Sequence, residues 1–373
     1  MNLHVFNDEK FFDPFVNKLE QLQLLGNNKF IVRRGGNYKY IKRTDAVFAS
    51  LDSVDFNILV GKVEQYDRVF LHAFTSDLKR WVVKNKFREL NWMIWGSELY
   101  EAKGSRFPLF EPETRDLKYR LESFGPFKYL LHKVKHFLQG TSGKQVFSKV
   151  DYLLTWIKPE YEYAVKSLAG LNARQKYFLY GFDMDIEELA KKFDVNSSLK
   201  RIAQRNLKCI VGNSGAVTNN HIDVFKRFKG IYFEEILLPV SYGDKKYVGL
   251  LKNQVEKLYP HLNISFMERF LSFDEYLEIF DKYSIFINNS LRPLGMGNIW
   301  LALLTGKLVF MNPGNFMFRH MKELGLQVFD IDQINDIDRL AATLDQNKNR
   351  RIVLDYLSRD KTDQLYRKLF GRN

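Results

Sequence analysis

The feature that most constrains this chain is a pattern that runs twice along it: short apolar strands alternating with amphipathic helical stretches. Strands joined through helices pair in parallel, so each run predicts an open α/β sheet covered by helices on both faces. In the first run, residues 3–6 and 29–33 read as strands around a helical stretch over 11–25, where Phe12, Phe15, Val16, Leu19 and Leu22 recur at helical spacing. Strands over 67–72, 91–95 and 177–180 follow. The second run places strands at 208–211, 235–238, 264–266, 284–287 and 308–311, with helices over 220–228, 247–258, 273–280 and 298–305 between them. Two sheets make two domains, and 373 residues are enough for both. The boundary falls between residues 185 and 205, giving an expected N-terminal domain over 1–195, a C-terminal domain over 196–350, and a final helix over 351–373 that packs back on the first domain.

Ligands of such sheets gather at the C-terminal ends of the strands, and two loops there are built from small residues. Val211-Gly212-Asn213-Ser214-Gly215 closes the first strand of the second run, and Asn288-Asn289-Ser290-Leu291-Arg292-Pro293-Leu294-Gly295-Met296-Gly297-Asn298 leads into a helix. A glycine loop feeding a helix N-terminus presents unpaired N–H groups and a positive dipole end, and Arg292 adds a fork for phosphate oxygens. A diphosphate would fit there. Each loop taken singly also reads as an ordinary tight turn, and Thr218 to His221 as the start of a helix.

Composition narrows the partners. Lys and Arg exceed Asp and Glu by 57 to 44, giving a net charge of +13, and aromatics make up 15%. That balance suits nucleic acid, an acidic membrane surface or phosphorylated small molecules. Seven basic residues against Glu122 alone put +6 into residues 118–149, where Phe127, Leu130, Leu131, Val134, Phe137 and Leu138 share one helical face opposite Lys128, Lys133 and Lys135. This stretch reads as a core helix, an interfacial helix on anionic lipid, or a nucleic-acid surface. One cysteine, Cys209, excludes a disulfide framework, no run of 18 apolar residues predicts a membrane span, and the first residues do not spell a signal peptide. No nucleophile elbow and no P-loop occurs, which argues against a serine hydrolase or a P-loop nucleotidase.

Taken in order, Ile94-Trp95-Gly96-Ser97-Glu98-Leu99-Tyr100-Glu101, Val211-Gly212-Asn213-Ser214-Gly215 with Asn219-Asn220-His221-Ile222, Leu238-Pro239-Val240-Ser241-Tyr242 and Arg292-x-x-Gly295-x-Gly297 resemble glycosyltransferase family 56. Its best-known members are the TDP-N-acetylfucosamine:lipid II N-acetylfucosaminyltransferases, also called 4-alpha-L-fucosyltransferases. The resemblance covers about residues 69–325. It implies a GT-B fold, two Rossmann-like domains facing a cleft, in which the second takes the nucleotide sugar and the first the acceptor.

On that resemblance Gly212, Asn213, Ser214, Gly215, His221 and Tyr242 line the donor side, and Arg292 with the amides of Gly295, Gly297 and Asn298 holds the diphosphate. His221 also reads as a capping or packing residue. The helix after the loop carries no acid from Asn298 to Leu304, so the ribose contact is unassigned. His72 and Glu98 are the candidate catalytic groups, each with a second reading: a histidine hydrogen-bonded within the fold, and a carboxylate stabilised at a helix start. Trp95 with Lys128, Lys133 and Lys135 would face the acceptor and the membrane. The expected partners are a TDP-sugar, a lipid-linked saccharide and the anionic inner leaflet, without nucleic acid. The expected location is cytoplasmic, peripheral on the inner face of the bacterial inner membrane.

Asp183-Met184-Asp185 and Asp330-Ile331-Asp332 spell the D-x-D of metal-dependent glycosyltransferases. Their settings, a helix start and a turn-rich segment, do not favour a metal, and no Cys or His cluster suggests zinc. Transfer is expected to need no metal or other cofactor. The alternatives are a UDP- or GDP-sugar-dependent enzyme of capsule or lipopolysaccharide assembly, or a non-catalytic protein that binds nucleic acid or membrane through its basic face.

Overall fold

The computed structural model describes residues 1–33, 41–51, 53–101, 105–121, 143–180 and 185–371. These divide into two compact units. The first holds residues 1–106, 143–185 and 357–371, and the second holds 107–121 and 186–356. The second unit thus begins near residue 186 and also takes in a segment from the N-terminal third of the chain.

The first unit is built on seven parallel strands, β1 (Asn2–Phe6), β2 (Asn28–Arg33), β3 (Phe48–Ala49), β4 (Arg68–His72), β5 (Leu90–Met93), β6 (Tyr152–Leu154) and β7 (Arg174–Lys176), in the order β3-β2-β1-β4-β5-β6-β7. Central strands of a parallel sheet are covered on both faces, which is why β1, β4 and β5 are buried almost throughout, with Asn2, His4, His72 and Asn91 as polar residues among their apolar ones. The strand expected over 177–180 lies instead at Arg174–Lys176. It is an edge strand whose polar residues hide it from an apolar pattern, while Phe178 next to it packs into the core.

That core is dominated by phenylalanine. Phe6, Phe12, Phe15, Phe70 and Phe178 meet Tyr366, Leu369 and Phe370 of the last helix, Arg359–Phe370. The same helix is tied by hydrogen bonds from Arg68 to the carbonyls of Leu369 and Gly371, both at 2.8 Å, and by the ion pair Lys18–Asp363.

The second unit holds six parallel strands, β8 (Lys208–Val211), β9 (Glu235–Pro239), β10 (Ile264–Met267), β11 (Ile285–Asn288), β12 (Leu308–Met311) and β13 (Phe329–Asp330), in the order β10-β9-β8-β11-β12-β13. From β8 the chain adds strands to one side, then returns to pair β11 on the other side of β8. The ends of β8 and β11 therefore flank the topological switch point, where the loops diverge and leave a crevice.

Candidate functional site

Three loops converge at the C-terminal edge of the second sheet. Gly212 leaves β8 with φ +73, a conformation that disfavours any side chain, and a Cβ there would lie 2.7 Å from Nε2 of His221. Asn219 holds the following turn. Its Oδ1 accepts from the Asn213 amide at 3.3 Å, and its Nδ2 donates to the carbonyl and hydroxyl oxygens of Ser214 at 2.9 and 3.1 Å. Gly215 then bridges to Gly243 in the loop after β9, donating its N–H to the Tyr242 carbonyl at 2.7 Å.

The third loop follows β11. Asn288 donates to the Leu294 carbonyl at 2.8 Å, Ser290 Oγ to the Arg292 carbonyl at 2.9 Å, and Asn315 to the carbonyls of Ser290 and Arg292 at 2.8 and 2.9 Å. Gly295, at φ +70, is the N-cap of the helix Met296–Leu304, and a Cβ there would lie 3.0 to 3.2 Å from the Asn213 side chain. The β8 loop and this helix start are therefore in contact through Asn213. Its Nδ2 donates to the Tyr242 hydroxyl at 3.1 Å, and its Oδ1 is buried with no hydrogen-bond partner. Asn298 already gives its N–H to the Gly295 carbonyl at 3.0 Å. The amides that precede the helical ladder are those of Met296 and Gly297, and Arg292 stands partly exposed beside them in sequence.

The structure sorts the expected donor residues. Gly212, Asn213, Gly215, Tyr242, Gly295 and Gly297 belong to this loop cluster, whereas Ser214 and His221 brace it from within. His221 is fully buried, hydrogen-bonds Tyr247 at 3.0 Å, and is driven by burial down to about 3, so it is neutral. That is its packing reading.

Sequence reasoning missed a second set of residues beside this loop. Asn220, in the left-handed region at φ 52, donates to the carbonyls of Leu109 and Asn289, and its Oδ1 accepts from the Glu111 amide. The Glu111 carboxylate takes bonds from Asn289 at 2.6 Å, Asn312 at 3.1 Å and both Nη groups of Arg227 at 3.0 and 2.8 Å. Asp223 caps the helix Pro112–Leu121 by accepting from the amides of Glu113 and Thr114 and from the Thr114 hydroxyl. The only signal was the Asn219-Asn220 doublet, because Glu111 lies more than a hundred residues away in sequence.

On the first unit both catalytic candidates turn inward. His72, the last residue of β4, is fully buried, with Nε2 3.0 Å from His4 Nδ1 and Nδ1 2.6 Å from the Tyr180 hydroxyl. Burial holds its imidazole well below the usual histidine range. Both ring nitrogens of His72 are thus engaged inside the unit, the arrangement of its second reading, a histidine hydrogen-bonded within the fold. Glu98, in the short helix Ser97–Tyr100, accepts from the Trp95 amide at 2.7 Å and the Trp92 indole at 3.3 Å, which anchors it at a helix start. Trp95 remains partly exposed, and its indole N–H donates to the Tyr180 hydroxyl at 2.9 Å.

Lys128, Lys133 and Lys135 lie outside the described residues, as do Asp183 and Met184. Asp330 caps a turn by accepting from the Asp332 amide at 2.9 Å, and Asp332 pairs with Arg227 at 2.6 Å, so this D-x-D is spent on structure. Among the described residues no group of three His, Cys, Asp or Glu is placed to hold a metal ion. No helix among them is long and apolar enough to cross a membrane.

Known structures share this architecture. Sucrose-phosphate synthase from Thermosynechococcus elongatus superposes with a TM-score of 0.63 at 12% identity, covering 100% of this chain and 99% of that one. HepE of Anabaena in complex with UDP and glucose gives 0.60 at 12% identity over 100% and 99%, and a glycosyltransferase from Rickettsia africae gives 0.59 at 11% over 99% and 97%. At such identities the likeness is one of fold, two parallel-sheet α/β domains of GT-B type. A model of one family, described as 4-alpha-L-fucosyltransferase, glycosyl transferase group 56, matches residues 163–359, more than half of the chain. That match removes the reading as a non-catalytic basic protein, and the chain belongs to glycosyltransferase family 56.

Proposed function

We propose that this glycosyltransferase moves an amino-deoxyhexose, such as 4-acetamido-4,6-dideoxygalactose, from a TDP-sugar to a lipid-linked oligosaccharide at the inner face of the bacterial inner membrane. The observation that carries the donor side is the contact of the β8 loop with the helix start at Gly295, at the switch point of the second sheet. Breaking the anomeric C–O bond leaves negative charge on the nucleoside diphosphate. The Arg292 guanidinium, the Met296 and Gly297 amides and the dipole of their helix meet that charge without reorganising, so no metal is required. The basic stretch over 118–149 supports an anionic surface as the place of work.

A second reading keeps the fold and changes the donor to a UDP- or GDP-sugar, with capsule or lipopolysaccharide as the product. The HepE complexes with UDP and UDP-glucose favour it. A thermal-shift panel of TDP, UDP and GDP and their sugars separates the two. Stabilisation by TDP compounds above the others is expected, unchanged in EDTA and lost in Arg292→Ala. No stabilisation by any nucleotide sugar would sink the donor assignment, and a strict metal requirement would sink the metal-free mechanism.

A further inference from the structure

Three partly buried rings stand together at the C-terminal edge of the first sheet, each from a different connection: Phe11 after β1, Trp95 after β5 and Tyr180 after β7. Phe11 and Tyr180 are stacked with centroids 5.2 Å apart, Phe11 and Trp95 are 5.7 Å apart, and Trp95 and Tyr180 6.4 Å. Their neighbours Phe6, Phe12, Phe15 and Phe178 are buried, so these three form the open end of the aromatic core.

Their polar tips are committed inward by a chain whose direction can be read from its far end. Asn28 Nδ2 donates to the carbonyls of Leu24 and Phe370, at 2.7 and 3.2 Å, which leaves Oδ1 to face His4 Nε2 at 3.0 Å. His4 therefore carries its proton on Nε2 and accepts at Nδ1. His72 must donate from Nε2 and accept at Nδ1, so the Tyr180 hydroxyl points its proton at His72 while its oxygen accepts from the Trp95 indole. With N–H and O–H groups spent inside, what stays exposed of Trp95 and Tyr180 is ring surface, and the Lys10 ammonium stands over the Phe11 ring, 5.5 Å from its centroid.

We infer that Phe11, Trp95 and Tyr180 form a platform for one hexopyranose ring of the acceptor, with Asn28, His4 and His72 as positioning residues that fix it. One face of a pyranose is a patch of C–H groups bounded by hydroxyls, and it packs on aromatic faces that carry no competing polar tip. The inference rests on the proposed reading of the first unit as the acceptor side. An alkyl chain would have asked for an extended groove, whereas three rings within 6.4 Å of one another match a single sugar.

Saturation-transfer NMR with methyl β-D-glucopyranoside and methyl N-acetyl-β-D-glucosaminide tests it on the full chain, with TDP and UDP as probes of the second unit in the same samples. Transfer onto the ring C–H protons is expected, weakened roughly tenfold in Trp95→Ala and Phe11→Ala and largely kept in Trp95→Phe. Tyr180→Phe keeps the ring and breaks the chain of hydrogen bonds; it should lower the thermal midpoint, because His72 Nδ1 and the Trp95 N–H lose their partner, and weaken glycoside transfer while nucleotide signals stay as in the wild type. Equal glycoside transfer in Trp95→Ala and wild type, or glycoside signals abolished by added nucleotide, would overturn the platform. Loss of nucleotide binding with intact, Trp95-dependent glycoside transfer would overturn the donor assignment alone.

Discussion

At Gly212 the backbone turns through positive φ, and a Cβ built there would lie 2.7 Å from the unpartnered Nε2 of His221. Gly212→Ala is therefore expected to cost about 1–3 kcal/mol in chemical denaturation, and nucleotide affinity should fall with it because the loop carries Asn213. The glycine loops were legible in the sequence because small residues at strand ends have few other uses. The residues that brace them were not: a buried Asn219 or Asn220 looks in sequence like any turn asparagine, and its hydrogen bonds exist only once the strands are placed. The place of His72 at a strand end is legible in the sequence, whereas the partner that engages its Nδ1, Tyr180, lies 108 residues away and is not.

Among the elements, the segment carrying Glu111 and the helix Pro112–Leu121 is the least expected. It comes from the N-terminal third yet packs on the second unit, held by Asn220, Asp223 and Arg227. Glu111→Gln keeps the shape and removes the charge that Arg227, Asn289 and Asn312 share. Hydrogen bonds to charged groups contribute about 1.5–3 kcal/mol, so a loss of that order is expected in urea unfolding. A coupling near zero between Glu111→Gln and Arg227→Met in a double-mutant cycle would show that the pair contributes nothing. The central strands were readable because burial on both faces leaves an apolar run. Tyr152–Leu154, Arg174–Lys176 and Phe329–Asp330 were not, being two or three residues long and near the sheet edges.

At the scale of the whole molecule, buried histidines contribute to the response to acid. Burial drives His4 and His221 down to about 3 and His72 well below its usual range. Each binds its proton less well in the folded chain than in the unfolded one, where the ordinary value is about 6.5. Stability from these groups is thus complete above about pH 6.5 and is lost progressively as pH falls toward about 3. Urea midpoints measured across that window should decline on acidification, and His4→Gln should flatten the decline; a flat profile in the wild type would contradict the burial of neutral imidazoles.

The last helix contributes Tyr366, Leu369 and Phe370 to a core whose first member is Phe6. Domains are commonly completed in the order in which they leave the ribosome. Here the two units are interleaved along the chain: the second has all its residues once Tyr356 is made, whereas the first waits for residues 357–371 to close the core that Phe6 began.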